Sequence, residues 1–243
     1  MMFNNKPVFG MIHLHPHPAT REAVTTAVDE IHILNEGGFD GCIIENYHGN
    51  LDDVILTLRD IEKETFGDFK IGINILPNNF EVAFNLVTNY KIDFVQLDYV
   101  AGSYSTWSTN SKRTIPGELY SKLKNTTVLG GVWPKYYTPD IGSILEEDLK
   151  VAKTRAEAVV VTGAGTGIET SYDKIYNFKR LLGDHPLIVG AGLNVENVKE
   201  QLTLADGGIV GSGIKPYNMT SKKIDKQLVK DFISERNKLF KNE

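Results

Sequence analysis

The chain lacks most of the features that mark disulfide-bonded, secreted or membrane proteins. Its one cysteine, Cys42, excludes an intrachain disulfide framework and a zinc site built from cysteines. Cys42 lies in an apolar run, where a buried, inert thiol is expected rather than a nucleophile. No run reaches the about 18 apolar residues of a membrane-spanning helix, and residues 1–7 lack the apolar stretch of a signal peptide. We therefore expect a cytoplasmic protein without an integral membrane segment.

The sequence also lacks the excess of basic residues that nucleic-acid-binding proteins usually carry. It has 26 Lys and Arg against 31 Asp and Glu, a net charge of −5, so we expect no nucleic-acid partner. Its 243 residues are close to the roughly 250 of one (β/α)8 barrel. No linker or low-complexity segment divides the chain, so residues 1–243 are expected to form a single domain of this kind.

Short apolar runs alternate with segments of helical periodicity along the chain. Runs that are almost continuously apolar are typical of parallel strands covered on both faces. Eight strands are predicted, at Val8–Leu14, Gly41–Glu45, Lys70–Ile75, Phe94–Leu97, Thr127–Val132, Ala158–Thr162, Leu187–Gly190 and Gly208–Val210. Helices are predicted at Thr20–Asn35, Leu51–Phe66, Asn79–Asn89, Ile144–Arg155, Ser171–Leu182, Val195–Leu202 and Lys222–Phe240. The alternation fits an α/β fold, and the count of eight favours a closed (β/α)8 (TIM) barrel over an open doubly wound sheet.

Two glycine-rich segments follow the seventh and eighth predicted strands. They are Gly190-Ala-Gly192 and Gly211-Ser-Gly213. Glycines at strand ends leave backbone N–H groups accessible, and a (β/α)8 barrel commonly binds phosphate at this place. We therefore predict that Gly192, Gly211, Ser212 and Gly213 hold the phosphate group of a small ligand.

Charged side chains follow four other predicted strands, where the active site of a barrel lies. Glu45 is the leading candidate for a general base or substrate anchor, and Asp98 is a second carboxylate that can form an acid/base pair with it. His13 is predicted to face the mouth as an acid/base or hydrogen-bond donor, and Lys135 to bind phosphate or act as an acid. The alternatives are that the Glu45 carboxylate is structural, that His13 forms its hydrogen bonds inside the barrel, and that Lys135 is an exposed loop lysine.

Polar residues at the same strand ends are predicted to contact the ligand. They are Asn46, Asn74, Thr162 and Gly163. The segment Thr162-Gly-Ala-Gly-Thr-Gly167 misses the spacing of a dinucleotide-binding motif, so no nucleotide cofactor is expected. Glycines that only form a tight turn are the alternative interpretation of this segment.

The pair His13-Leu-His15 also occurs in the pattern of metal-dependent hydrolases built on barrels. A catalytic zinc takes about three protein ligands, and Glu45 is a further candidate. The remaining histidines are poorly placed, since His32 falls in a predicted helix and His185 precedes a strand at the opposite rim. We therefore predict no metal.

The stretch from Val100 to Pro116 has no clear period and is rich in Ser, Thr, Tyr and Trp. A connection of this length in a compact domain is often a lid or a binding loop. The alternative is a wandering surface loop, followed by a short helix at Gly117–Lys124.

Several segments together resemble the BtpA/SgcQ family. They include Val8-Phe-Gly-Met-Ile-His-Leu14, Gly38-Phe-Asp-Gly41 with Glu45-Asn46, Gly192-Leu-Asn-Val-Glu-Asn-Val198 and Ala205-Asp-Gly-Gly-Ile-Val-Gly211. The resemblance implies a (β/α)8 fold. It also implies either the photosystem I biogenesis role of the name-giving member or the association of other members with sugar metabolism. The C-terminal segments are also similar to the phosphate-binding half of ribulose-phosphate epimerase, indole-glycerol-phosphate synthase and thiamin-phosphate synthase.

The chain departs from the family pattern at the predicted mouth. His15 and His17 stand where prolines are usual, Asp98 where asparagine is common, and Gly131 where aspartate is common, whereas Lys135 is retained. A changed arrangement of carboxylates puts a substrate shared with the family in doubt.

The predicted function is that of an enzyme acting on a phosphorylated small metabolite. Proton abstraction beside a carbonyl, as in a sugar-phosphate isomerase, epimerase or lyase, fits the predicted groups. The alternatives are a non-enzymatic biogenesis or stability factor for membrane protein complexes, and a metal-dependent hydrolase using His13 and His15. A homo-oligomer is a further expectation for a barrel of this size.

Overall fold

The protein is described from a computed structural model that covers residues 2–3, 5–16, 20–105, 123 and 126–240. Of the irregular stretch predicted from Val100 onward, only the part up to Ser105 falls within these residues. The rest of that stretch, most of the short helix predicted at Gly117–Lys124, and His17 lie outside the described residues.

Eight parallel strands in the described residues close into a barrel, which confirms the predicted fold. We number them β1 to β8: Val8–Ile12, Gly41–Glu45, Lys70–Asn74, Phe94–Leu97, Thr127–Gly131, Ala158–Thr162, Leu187–Gly190 and Gly207–Val210. Each strand pairs with the next in parallel, and β8 closes the barrel on β1 with Val8 opposite Gly208. All carboxyl ends therefore meet at one rim.

Seven α-helices in the described part of the chain cover the outside of the barrel. They are α1 to α7: Thr20–Glu36, Leu51–Ile61, Phe80–Asn89, Leu145–Ala152, Tyr172–Leu182, Val198–Leu204 and Lys226–Asn237. None of them combines the length and the apolar composition needed to cross a bilayer.

Two helices, α6 and α7, begin three or four residues later than the sequence predicts, because side chains hydrogen-bond to the backbone of the preceding turn. Before α6, the Asn194 side chain accepts from the Asn197 N–H at 3.1 Å, and the Asn197 side chain accepts from the Asn194 N–H at 2.9 Å. Before α7, the Asp225 carboxylate accepts from the N–H groups of Gln227 and Leu228. Such caps compete with a helical conformation upstream and fix the first turn.

Strand residues alternate between two apolar layers. Side chains such as Phe9, Phe94 and Leu129 fill the barrel interior, and the rings of Phe9 and Phe94 lie 4.8 Å apart. Their neighbours, such as Val95 and Val128, face the helices. The interior is apolar toward the amino ends of the strands and becomes polar at the carboxyl rim, so the polar side chains collect at one mouth.

The loops after β4 and β5 are joined above this mouth. Tyr104 and Ser105 pair in antiparallel fashion with Thr138 and Pro139. The hydroxyl groups of Ser103 and Ser105 both donate to Asp140, at 2.6 and 2.7 Å. The first residues of the irregular stretch thus form part of the rim.

Candidate active site

The carboxyl ends of the strands surround a cavity in the barrel mouth. Its lining includes the four side chains for which the sequence suggests chemistry: His13, Glu45, Asp98 and Lys135. Glu45 ends β2, and the others lie in the loops after β1, β4 and β5, so the closed barrel brings together residues that are up to 122 positions apart. The site follows from the topology, because each residue comes at or just after the end of its strand.

A single amide links the two carboxyl groups. Asn74 ends β3, directly beside Glu45 in the strand register. Its Nδ2 donates to Glu45 Oε1 at 2.8 Å and, with a longer contact of 3.4 Å, to Asp98 Oδ1. The hydroxyl group of Tyr137 donates to Asp98 Oδ2 at 2.8 Å. The two carboxyl groups therefore have fixed positions on either side of Asn74.

Burial makes Glu45 a proton acceptor suited to neutral pH. Burial raises its pKa to about 7, since the opposing effect of the Lys135 ammonium is smaller and the Asp98 carboxyl raises the pKa further. Burial also raises the pKa of Asp98, against the hydrogen bonds from Tyr137 and Asn74. A general base works best with a pKa near the operating pH.

His13 faces Glu45 across the mouth as a neutral imidazole. Its ring is buried, and Nε2 lies 4.0 Å from Glu45 Oε2. Burial lowers the His13 pKa well below its ordinary value, and the ammonium groups of Lys215 and Lys135 add to the effect. A neutral imidazole offers one donor and one acceptor, so His13 can donate a hydrogen bond to an oxygen that gains negative charge.

Lys135 is half-buried at the mouth. Its backbone N–H donates to Thr162 Oγ1 at 2.8 Å, and its Nζ donates to Thr166 Oγ1 at 3.0 Å. The Thr166 N–H donates to the Tyr136 hydroxyl at 2.8 Å. These contacts join the loops after β5 and β6 and hold the ammonium group at the cavity wall.

Three of the predicted phosphate ligands line the cavity. They are Gly192, Gly211 and Ser212. A Cβ on Gly211 would lie 2.7 Å from Cε1 of His13. Only glycine at this position therefore avoids a clash with the histidine ring. Within the described part of the chain, the backbone N–H groups of Gly192 and Gly211 donate to no protein acceptor. These N–H groups are accordingly available to a ligand.

Three other predicted ligand contacts do not line this cavity. A Cβ on Gly213 would lie 2.0 Å from the Leu193 carbonyl oxygen, and one on Gly163 would lie 2.5 Å from that of Ile168. Both glycines allow close packing of loop backbones. The Asn46 side chain accepts from the Leu76 N–H at 2.7 Å and donates to the Leu76 carbonyl at 3.2 Å, so it joins the loops after β2 and β3.

Sequence reasoning missed several side chains of the mouth. Tyr137 contacts Asp98, and Gln96 and Tyr47 line the cavity. Lys215 is buried near the site, with Nζ donating to the Thr220 carbonyl at 3.2 Å. Burial lowers its pKa, against the carboxylates of Glu30 and Glu45. Lys215 comes two residues after Gly211-Ser-Gly213, and this position next to a predicted phosphate-binding segment could have identified it from the sequence.

The described residues offer little support for a metal centre at this mouth. Among the residues that the structure describes, no group of three or more His, Cys, Asp or Glu side chains could hold a metal ion. Of the candidate ligands, His13 and Glu45 lie together, with Nε2 of His13 at 4.0 Å from Oε2 of Glu45.

Comparisons with known sequences identify relatives over almost the whole chain. The model described as the BtpA family matches residues 4–238. An uncharacterised protein of Methanocaldococcus jannaschii is 30% identical, with 98% of each chain covered. The photosystem I biogenesis protein BtpA of Synechocystis is 21% identical, with 94% of this chain and 87% of that protein covered.

Comparisons with solved structures identify the same barrel architecture. The thiamine phosphate pyrophosphorylase of Pyrococcus furiosus superimposes with a TM-score of 0.64 at 14% identity, covering 98% of this chain and 99% of the other. The phosphoribosyl anthranilate isomerase of Thermus thermophilus gives a TM-score of 0.64 at 13% identity, covering 96% and 99%. At these identities the likeness concerns the fold alone.

Proposed function

The chain belongs to the BtpA family, and from that premise and the geometry of its mouth we propose that it is an enzyme acting on a phosphorylated small metabolite. The chemistry that fits the residues best is proton abstraction beside a carbonyl, as in a sugar-phosphate isomerase, epimerase or lyase. The observation that carries the proposal is the carboxyl pair of buried Glu45 and half-buried Asp98, bridged by Asn74 and opposed by His13.

The proposed reaction begins when the Glu45 carboxylate takes a proton from the carbon next to the substrate carbonyl. The electron pair left on that carbon moves to the carbonyl oxygen and forms an enediolate. Neutral His13 and the Lys135 ammonium stabilise the charge on this oxygen. Return of this proton to the former carbonyl carbon, while the proton of the neighbouring hydroxyl group passes to the first oxygen, gives an isomer. Protonation of the original carbon on its opposite face by the protonated Asp98 carboxyl group gives an epimer and leaves the abstracted proton on Glu45.

The phosphate group is proposed to bind at the rim formed by the loops after β7 and β8. Free backbone N–H groups at Gly192 and Gly211, with Ser212 beside them, suit an anion. The names of the two solved neighbours state that each handles a phosphate compound. Their likeness supports the proposal through the shared fold only.

Thermal unfolding in the presence of ligands tests binding. A ligand at 100 times its dissociation constant adds about 2.7 kcal/mol to the free energy of unfolding, which is about 5–10 °C for a chain of this size. We expect such shifts with phosphorylated sugars and none with their unphosphorylated counterparts at the same concentration. Equal shifts with both forms, or none with either, would remove the basis for a phosphorylated substrate.

Substitution of the proposed base separates binding from catalysis. Glu45→Gln should abolish turnover and keep the thermal shift, whereas Glu62→Gln, on an exposed residue after α2, should leave both unchanged. A Glu45→Gln protein that no longer folds would indicate that the carboxyl group is structural.

A non-enzymatic assembly factor is the second candidate function. It is favoured by the name of the Synechocystis relative, a photosystem I biogenesis protein, which matches 94% of this chain. Such a factor would have no need of a proton acceptor at the mouth. Unchanged function in cells carrying Glu45→Gln would therefore favour this candidate over the enzyme.

A further inference from the structure

Gln96 is a polar side chain in the otherwise apolar floor of the mouth. It lies in β4 between Phe94, which faces the barrel interior, and Asp98, which lines the mouth. Alternation along the strand therefore directs Gln96 into the barrel, one level below Asp98. The interior residues that line the cavity with it from other strands are Met11, Val160 and Ile209.

The Oε1 atom of Gln96 is buried and has no hydrogen-bond partner among the described residues. Two neighbours in the cavity wall have the same property at one atom each: Asn74 at Oδ1 and His13 at Nδ1. Both of these side chains are more than nine-tenths buried. An unpaired buried polar group costs roughly 1–3 kcal/mol, so three such atoms on residues that line one cavity point to a ligand that completes their hydrogen bonds.

The charges around the cluster restrict what that ligand group is. A carboxylate or phosphate at this depth would meet the carboxyl groups of Glu45 and Asp98. An apolar group would leave the Gln96 amide unpaired. A hydroxyl group both donates and accepts, so it can pair with either end of a carboxamide and with an acceptor such as Asn74 Oδ1.

We infer that Gln96 binds a hydroxyl group of the substrate at the floor of the mouth, and that the substrate is a polyhydroxylated chain carrying its phosphate at the far end. The inference rests on the proposed function and narrows it to sugar phosphates. Gln96 is then a specificity-determining residue, because it favours ligands with a hydroxyl group over ligands of equal length without one.

A matched pair of unreactive phosphate esters tests this role. Ribitol 5-phosphate and n-pentyl phosphate have chains of the same length, and only the first carries hydroxyl groups. Calorimetry should give a ratio of their dissociation constants that favours ribitol 5-phosphate in the natural protein. Gln96→Met should reduce that ratio about tenfold, the loss expected for a buried hydrogen bond. Gln227→Met, on the exposed face of α7, should leave the ratio unchanged.

Stability of the free protein separates a binding role from a structural one. Because the buried Oε1 atom of Gln96 has no partner among the described residues, Gln96→Met should unfold at the same temperature as the natural protein or higher. A structural role would instead lower the unfolding temperature. Should the Met variant fail to fold, a crystal structure of the natural protein with ribitol 5-phosphate replaces it, with a ligand hydroxyl expected at about 2.7–3.2 Å from the Gln96 amide.

Binding of both esters with the same ratio in the natural protein and Gln96→Met would overturn the inference and leave the proposed function standing. A crystal structure with ribitol 5-phosphate in which no ligand hydroxyl group contacts Gln96 would also overturn the inference. If neither ester nor inorganic phosphate binds, the proposed function fails, and the inference fails with it.

Discussion

Asn74 links the carboxyl groups of Glu45 and Asp98 through its side-chain amide. Its Nδ2 reaches both Glu45 and Asp98, and its hydrogen bond to each lowers the pKa of that carboxyl group against the larger effect of burial. Without the amide, both groups would hold their protons more tightly. The residue is therefore a positioning residue that also keeps the proposed base usable at neutral pH.

Replacement of Asn74 by alanine should shift the pH profile of the proposed reaction. Because the hydrogen bond lowers the Glu45 pKa, its loss raises that pKa, so the acidic limb of the rate profile should move to higher pH. We expect turnover at neutral pH to fall by at least tenfold. Asn89→Ala, on an exposed residue at the end of α3, is the control. An unshifted acidic limb in Asn74→Ala would show that another group sets it.

Glu45 should also make stability depend on pH. Its folded-state pKa of about 7 lies above the ordinary value of 4.5, so the folded protein binds the proton more tightly than the unfolded chain. The resulting stabilisation is complete below pH 4.5 and is lost as the pH rises through 7. His13 acts in the opposite sense, since its lowered pKa costs stability as the pH falls below its ordinary range.

The difference between two proteins isolates the contribution of Glu45. From pH 5 to pH 8, the free energy of unfolding of the natural protein should fall by about 2.5 kcal/mol relative to that of Glu45→Gln. Denaturant titrations at each pH provide the comparison, and the His13 contribution, common to both proteins, largely cancels. Parallel pH dependences in the two proteins would contradict a raised Glu45 pKa.

At the scale of elements, the loops after β6 and β7 fit together through Gly192. Its φ is +71°, and a Cβ there would lie 2.3 Å from the Glu169 backbone. Gly183, which ends α5, has a similar φ of +62° but open space around it. The two glycines share a positive φ and differ in the contact between loops.

This pair gives a matched test of the rim. Alanine at either position is strained because of the positive φ, and only Gly192→Ala must also move a neighbouring loop. We expect Gly192→Ala to unfold at a lower temperature than Gly183→Ala, and to bind inorganic phosphate at least tenfold more weakly. Equal phosphate affinities in the two variants would show that the loop contact at Gly192 does not affect phosphate binding, which would contradict the prediction.

For the whole molecule, the barrel and the core of its mouth could be predicted from local patterns. Apolar runs gave the strands, and parallel closure brings together any polar residue at a strand end, as it does His13, Glu45 and Asp98. Periodicity was less informative about where α6 and α7 begin. The Asn194 side chain bonds to the turn before α6, and the Asp225 side chain caps α7.

Contacts between loops could not be predicted in this way. Tyr137 pairs with Asp98 across 39 positions, and nothing in its local sequence indicates that partner. Gly163 and Gly213 belong to the same kind of glycine-rich segment as Gly192, yet they serve backbone packing. A glycine motif identifies a loop, whereas its contacts depend on how the neighbouring loop approaches.

Exchange of substrate hydrogen with solvent tests the central claim most directly. The protein is incubated in heavy water with a panel of phosphorylated ketoses and aldoses, and the signal of the hydrogen beside the carbonyl is followed by nuclear magnetic resonance. We predict exchange of that hydrogen with at least one phosphorylated sugar and its loss in Glu45→Gln, with phosphate binding retained. Exchange at an equal rate in Glu45→Gln, or binding of these sugars without exchange in the natural protein, would contradict the assignment of Glu45 as the base.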